Sequence, residues 1–445
     1  MLDIKCFKLK HNKWVAQATI SLTSTFLTIL CAEMIFYLYP QLIHKGILLH
    51  MSSNRLARAY GNNPAELVER LGESPWIKFK PGVTVKRWVR PHEVSTFVNE
   101  WTTDRYGFNN DLSLLDNKAV RMVVLGDSHV EGIGVAKNEH FAGVLTSRYD
   151  VPTLNLGVQG YSPQQMMGVY KKIGPTFSPS YVIFCFNGNL FSRSLLYEKG
   201  NYTGGISSHI PLDEHRISSG VITESFFLSG LKACLAKIFP EEKIKDKKDN
   251  IPNKQGANEK KTEKLIIPPS DIVSREEFQR YIKGNLSAYF SREYLDLSDA
   301  QVQSDVNSAM RITKKVISDF DRLAREHNAI PIVFVMPTMR YLVEIAYPET
   351  YKEMIKGTFI GMEYWANEEI LSFCRQNGIS VIDGIAPMRD YMKKQFVENK
   401  EELVDFKLLP FFKIDGHPSQ VAHNLYASAI FTWLKQIPHN SSREE

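Results

Sequence analysis

Five short, largely apolar segments constrain this chain more than any other feature. They are RMVVLG (121–126), TLNLG (153–157), YVIFCF (181–186), IPIVFVM (330–336) and ISVIDG (379–384). Continuous runs of that length suit strands buried on both faces. Helical patterns lie between and after them, over 138–149, 162–172, 305–327, 351–377 and 419–436, the last carrying Val421, Leu425, Ile430 and Trp433. Alternating strands and helices predict a parallel sheet covered on both faces, a three-layer α/β/α domain. Ligands of such sheets bind beyond the carboxyl ends of the strands, so the residues just after each run are the first place to look for chemistry.

The chain has 445 residues, more than one average domain needs, and 43% of them are hydrophobic, enough for a large core. Its net charge of +5 is spread along the sequence without a stripe of Lys and Arg interleaved with aromatics, which argues against nucleic-acid binding. The five cysteines (6, 31, 185, 234 and 374) have neither CxxC nor paired spacing, so neither a zinc ribbon nor a disulfide scaffold is expected.

Residues 14–39, WVAQATISLTSTFLTILCAEMIFYLY, carry no charge except Glu33. As a helix they would span roughly 39 Å, enough to cross a bilayer with some tilt. Lys5, Lys8, Lys10 and Lys13 precede the run, and Trp14, Tyr37 and Tyr39 sit at its edges like interfacial anchors. The expectation is a cytoplasmic N-terminus (1–13), an uncleaved transmembrane signal anchor (14–39) and an extracytoplasmic remainder, periplasmic in a bacterium. A pre-domain segment (41–119), helical over 64–72, then leads into a catalytic domain at 120–438. Residues 240–264 hold eight Lys and six acidic residues and almost nothing apolar, which predicts a mobile charged insertion.

Four segments at strand ends or before a helix carry the chemistry. Gly126-Asp127-Ser128-His129 follows the first run and puts a hydroxyl at the sheet's rim, Gly126 being expected to allow a sharp turn. Asn155-Leu156-Gly157-Val158-Gln159-Gly160 can present a bare N–H to a developing oxyanion, and Asn187-Gly188-Asn189 offers amide donors. Asp415-Gly416-His417-Pro418 supplies a carboxylate near an imidazole, the components of a general base. Each segment also has a plainer reading: Ser128 as a helix N-cap, Asn189 and Gly160 as turn residues, His417 as a structural histidine. His129 and Glu131 are expected at the rim and His423 on the surface of the last helix.

The ordered set resembles the consensus blocks of the SGNH (GDSL-type) hydrolase superfamily, in its membrane-anchored bacterial form. GDSHVEGIGV corresponds to the first block, NLGVQGYSPQQ to the second, FNGNL to the third and DGHPSQVAHNLYA to the last, with NEWTTDRYGFNN as a lead-in. The resemblance implies a flavodoxin-like fold and a serine esterase or O-acyltransferase that needs no cofactor. Ser128 would be its nucleophile, His417 its base, Asp415 the partner of that base, and Ser128, Gly160 and Asn189 its oxyanion hole, with Gly157 as a substitute donor. Location and the resemblance point to O-acetyl groups of an extracytoplasmic carbohydrate as substrate. Two departures stand out: Asp415 lies two residues before His417 instead of three, where Ile414 falls, and Leu190 follows Asn189 in place of aspartate. Two other readings remain open: a catalytically inactive glycan-binding module on this fold, and a metal-dependent phosphoesterase using Asp127, His129, Asp415 and His417.

Overall fold

The computed structural model describes residues 17, 19–32, 35, 67–70, 77–89, 97–117, 120–200, 271–292, 299–412 and 416–437. The chain divides into two compact units, the first covering residues 1–61 and 213–258 and the second 62–212 and 259–445.

Residues described in the first unit are helical from Thr19 to Ala32. Ile20, Leu22, Phe26, Leu27 and Leu30 are exposed on it. Its hydroxyls turn back on the helix: Thr23, Thr25 and Thr28 each donate to the carbonyl four residues earlier. Among the described residues no helix is long and apolar enough to cross a membrane; both ends of the expected 14–39 span lie outside them, as does the charged insertion 240–264.

The second unit is built on five parallel strands: β1 (Met122–Leu125), β2 (Thr153–Asn155), β3 (Tyr181–Phe186), β4 (Ile330–Val335) and β5 (Ser380–Asp383), in the order β5-β4-β3-β1-β2. Each coincides with one of the apolar runs. β1 and β3 are buried along their whole length, as a sheet covered on both faces requires. Helices α1 (Ser128–Glu131), α2 (Phe141–Arg148), α3 (Pro163–Ile173), α4 (Leu190–Glu198), α5 (Ala300–Glu326), α6 (Phe359–Gln376) and α7 (Gln420–Gln436) provide the covering.

Strand register separates the two outer layers. Cys185 pairs with Phe334, and Phe184 with Val333, so Phe184 and Phe334 project from opposite faces of the sheet. Phe334 meets Phe141 of α2 and Tyr426 of α7, which also stack through Tyr149 and Phe431. Phe184 meets Phe320 of α5. On that second face Thr313 of α5 bonds Ser194 of α4, and Lys314 of α5 bonds Glu369 of α6. The result is the three-layer, flavodoxin-like order expected.

One element departs from expectation. Within the stretch 64–72, read as helix, Val68–Arg70 forms a strand paired antiparallel with Ile77–Phe79. Val68 and Phe79 are buried by the pairing and Lys78 reaches Glu69 across it, tertiary burial that outweighs local helix preference. A second hairpin, Thr84–Val89 with Phe97–Thr102, follows. The chain direction across the sheet reverses between β2 and β3, which makes the gap beyond the carboxyl ends of β1 and β3 the topological switch point.

Candidate active site

β1 runs straight into α1 through Gly126 and Asp127. Asp127, and not Ser128, caps the helix: its carboxylate accepts the His129 N–H at 3.0 Å. Ser128 therefore occupies the first helical position, where its own N–H has no intrahelical acceptor. Gly126 plays a different part from the sharp turn expected of it. Its φ is not in the left-handed region; a Cβ there would sit 2.0 Å from a methyl of Val130. The absent side chain lets α1 press against the end of β1.

Asp127 is the electrostatic centre of the site. It is fully buried and accepts from Arg193 Nη1 at 2.8 Å, from Asn187 Nδ2 at 3.4 Å and from the His129 ring at 3.2 Å. Burial alone would push its carboxyl up, but the charges and hydrogen bonds of His129 and Arg193 hold it well below the usual carboxylate range. An ionised carboxylate only accepts, so Nδ1 of His129 carries a proton. Arg193 also donates to the Tyr161 carbonyl at 3.3 Å. A single guanidinium on α4 thus ties the nucleophile turn to the loop after β2.

The loop after β2 is fixed from beneath by a relay that starts in the DRYGFNN turn. Burial raises the Asp104 carboxyl even though amides of Tyr106, Phe108 and Asn110 donate to it. Asn110 then pairs with the Asn155 backbone in both directions, 2.7 and 2.9 Å. The Asn155 side chain donates to the Val130 carbonyl and accepts from Gly157 N–H at 2.8 Å. Gly157 is thereby engaged as a donor, which removes it as a substitute oxyanion group. Gly160, with φ of +72°, takes the left-handed conformation that glycine adopts without strain.

Glu131 is buried, contrary to the expectation of a rim residue, and so is His129. The Glu131 carboxylate accepts the Gln159 N–H at 2.6 Å, next to Gly160, and its carbonyl accepts from Asn109. Glu131 and Ser128 share a four-residue helix, so the same turn that offers the hydroxyl also braces the glycine loop.

After β3, the Asn187 side chain folds back to accept the Asn189 N–H at 3.1 Å, which sets Asn189 at the start of α4. The Asn189 Oδ1 accepts from Arg340 Nη1. Arg340 pairs with the fully buried Glu363 at 2.8 Å, and Thr338 donates to the same carboxylate. Gly188 packs directly on Glu363, where a Cβ would lie 2.2 Å from its Cγ. No sequence reading included Thr338, Arg340 or Glu363. The rule that would have found the first two is the one that found the others: they follow a strand, β4, at its carboxyl end.

His417 is half-buried on a turn closed by hydrogen bonds between Phe412 and its own carbonyl, 2.8 Å, and by pairing of Phe411 with Pro418. Gly416, at φ +73°, lets the turn pass Met339, whose Sδ would lie 2.2 Å from a Cβ there. The His417 ring centroid is 5.6 Å from that of His129, the residue after Ser128. Asp415 lies outside the described residues. His423, expected on the surface of α7, is buried instead: its Nδ1 accepts the Phe141 N–H at 3.3 Å and its ring stacks on Phe141. Among the described residues no group of three or more His, Cys, Asp or Glu is placed to hold a metal ion.

The segments that carry Ser128, Asn189 and His417 thus approach one another at the β1/β3 switch point through their neighbours, Asp127 to Asn187 and His129 to His417, with the loop before Gly160 braced on Glu131. A groove of about 600 Å³ between α5 and α6, lined by Trp365 and Met362, contains none of them.

No family model matches the sequence, and no curated protein matches it. Among solved structures the chain is similar to the acetyl xylan esterase AlAXEase, at 8% identity and a TM-score of 0.35, covering 70% of this chain and 98% of that one. It is similar to a catalytic mutant of an acetylxylan esterase from Geobacillus stearothermophilus, at 8% identity and 0.32, covering 70% and 92%. A GDSL-like lipase from Bacteroides thetaiotaomicron matches at 10% identity and 0.31, covering 73% and 94%. Similarity at this level carries no residue across, and the roles of this chain's residues rest on their own geometry.

Proposed function

We propose that the chain is a serine esterase, or an O-acyltransferase using the same intermediate. What supports this reading is the approach of three segments at one switch point, Asp127 before Ser128 bonding Asn187 near Asn189 and His129 after Ser128 facing His417, with the Asn189 carbonyl oxygen already engaged. Arginine only donates, so an oxygen facing Arg340 leaves the Asn189 Nδ2 as the group turned elsewhere, ready to donate.

In the reaction, His417 takes the Ser128 proton as the hydroxyl attacks an ester carbonyl. The tetrahedral oxyanion is held by the N–H groups of Ser128 and Gly160 and by Asn189 Nδ2. Collapse expels the alcohol, which takes the proton from His417. The acyl-enzyme then yields its acyl group to water or to an acceptor hydroxyl. Asp415 orients the imidazole. The substrate we propose is an O-acetyl group on an extracytoplasmic carbohydrate, with residues 14–39 as a membrane anchor. What supports the anchor is the run itself, charged only at Glu33, with Ile20, Leu22, Phe26, Leu27 and Leu30 exposed and three threonine hydroxyls bonded to their own helix.

The test is labelling with a fluorophosphonate followed by mapping of the modified residue, beside turnover of p-nitrophenyl acetate. Label on Ser128, with Ser128→Ala inactive but folded, is the expected result. Wild-type protein that neither labels nor turns over would sink it. His417→Ala is expected to match Ser128→Ala in severity, and Asp415→Ala to be milder.

A further inference from the structure

We infer that Arg340 is a positioning residue for the oxyanion hole: it locks the side-chain amide of Asn189 in the one rotation that presents Nδ2 to the substrate. The inference rests on the esterase reading above and extends it to a residue outside its four segments.

An asparagine amide has two nearly isosteric ends, and a flip exchanges a donor for an acceptor. An oxyanion facing Oδ1 would be repelled, so a site that relies on asparagine must fix the rotation in advance. Here the fixing group is a cation with donors only. If Asn189 flipped, its NH2 would face the guanidinium, donor against donor. Arg340 is itself held: Nη1 pairs with Glu363 at 2.8 Å, and the guanidinium lies 4.7 Å from the Phe359 ring centroid. Glu363 is locked in turn by Thr338 and by the close approach of Gly188. The chain of constraint runs Thr338–Glu363–Arg340–Asn189, and Met339, between its first and third members in sequence, packs beside Gly416 of the His417 turn. One segment after β4 thus touches both the amide and the base loop.

Arg340 alone cannot be truncated cleanly, because Glu363 would be left buried and unpaired. The test therefore uses Arg340→Met/Glu363→Gln, which removes the pair as a neutral unit, and Arg340→Lys, which keeps a cation and a donor. Each is assayed with p-nitrophenyl acetate as pure full-length protein. The double variant is expected to lose about tenfold in kcat, against about 100-fold for Asn189→Ala, with KM within about twofold of wild type. Arg340→Lys is expected to keep more kcat than the double variant. In an Asn189→Ala background the double variant should cost nothing further, since there is no amide left to orient.

An unchanged kcat, or a loss that adds fully to that of Asn189→Ala, overturns the inference while the esterase reading stands. Should the double variant not fold, Arg340→Leu/Glu363→Met takes its place, and a kcat equal to wild type there, with the Asn189→Ala loss intact, overturns it too. Wild-type protein without turnover or labelling overturns both.

Discussion

At the residue scale, Asp127 is the position whose importance the sequence understates. In sequence it is legible only as the middle letter of a Gly-Asp-Ser turn or as one ligand of a metal. In the structure it caps α1, accepts from Arg193, Asn187 and His129, and so joins three loops. Asp127→Asn would keep the shape and lose the charge, leaving Arg193 short of a counter-ion in a mostly buried setting. A loss of about 3 kcal/mol in urea unfolding is expected, because removing one member of such a pair strands the other. A variant as stable as wild type would show that the Arg193 charge is balanced elsewhere. Ser128, Gly160, Asn189 and His417 can be picked out because each follows a strand or precedes a helix. Glu363 cannot, because it lies inside α6, and its pairing with Arg340, 23 residues earlier, leaves no mark in sequence.

At the element scale, β1, β3 and β4 are readable because burial on both faces demands continuous apolar runs, and no described helix of the second unit looks like that. Helix limits are less readable. α5 begins at Ala300, five residues before its apolar pattern starts, because Asp299 caps it there with two backbone amides. The patterned stretch 351–377 is two helices, Tyr351–Met354 and α6, separated by Gly357 at φ +69°. The α7 face lies about one position from where the apolar residues put it: the buried set is Ala422, His423, Tyr426, Ala427, Ile430 and Leu434, spaced three and four apart. Residue type argues against a histidine on that face, although its spacing places it there. The junction of β1 and α1 offers a direct test of packing at this scale. Gly126→Ala puts a methyl 2.0 Å from Val130, and a destabilisation of about 2 kcal/mol is expected from overpacking. Combining it with Val130→Ala should cost less than the two single losses added, since the clash has lost one partner. Strict additivity in chemical denaturation would place the strain elsewhere.

At the scale of the whole molecule, two buried histidines join the outer layer of α2 and α7 to the site, and their charge state sets a limit on where the fold is stable. His140 caps α2, accepting the Gly143 N–H at its Nδ1 while its Nε2 faces the Asn109 carbonyl. Both nitrogens are committed in the neutral form, and burial pushes its imidazole down to about 4. His423, accepting from Phe141 on the same helix, is likewise pushed well below its ordinary value by burial and then by the nearby His140, His129 and His417. In the unfolded chain both return to about 6.5. Between those limits the unfolded state binds protons that the folded state refuses. The stability these histidines support is therefore complete above about pH 6.5 and is lost as pH falls through that value toward 4. His140 alone should remove about 2 kcal/mol between pH 7 and pH 5. Urea unfolding at the two pH values measures it, and His140→Gln, which cannot titrate, should flatten part of the slope. A wild-type midpoint that does not move between pH 7 and pH 5 would mean that both imidazoles accept protons in place. The α2–α7 layer would then be tolerating buried charge, and neutral hydrogen bonds at His140 and His423 would not be what holds it.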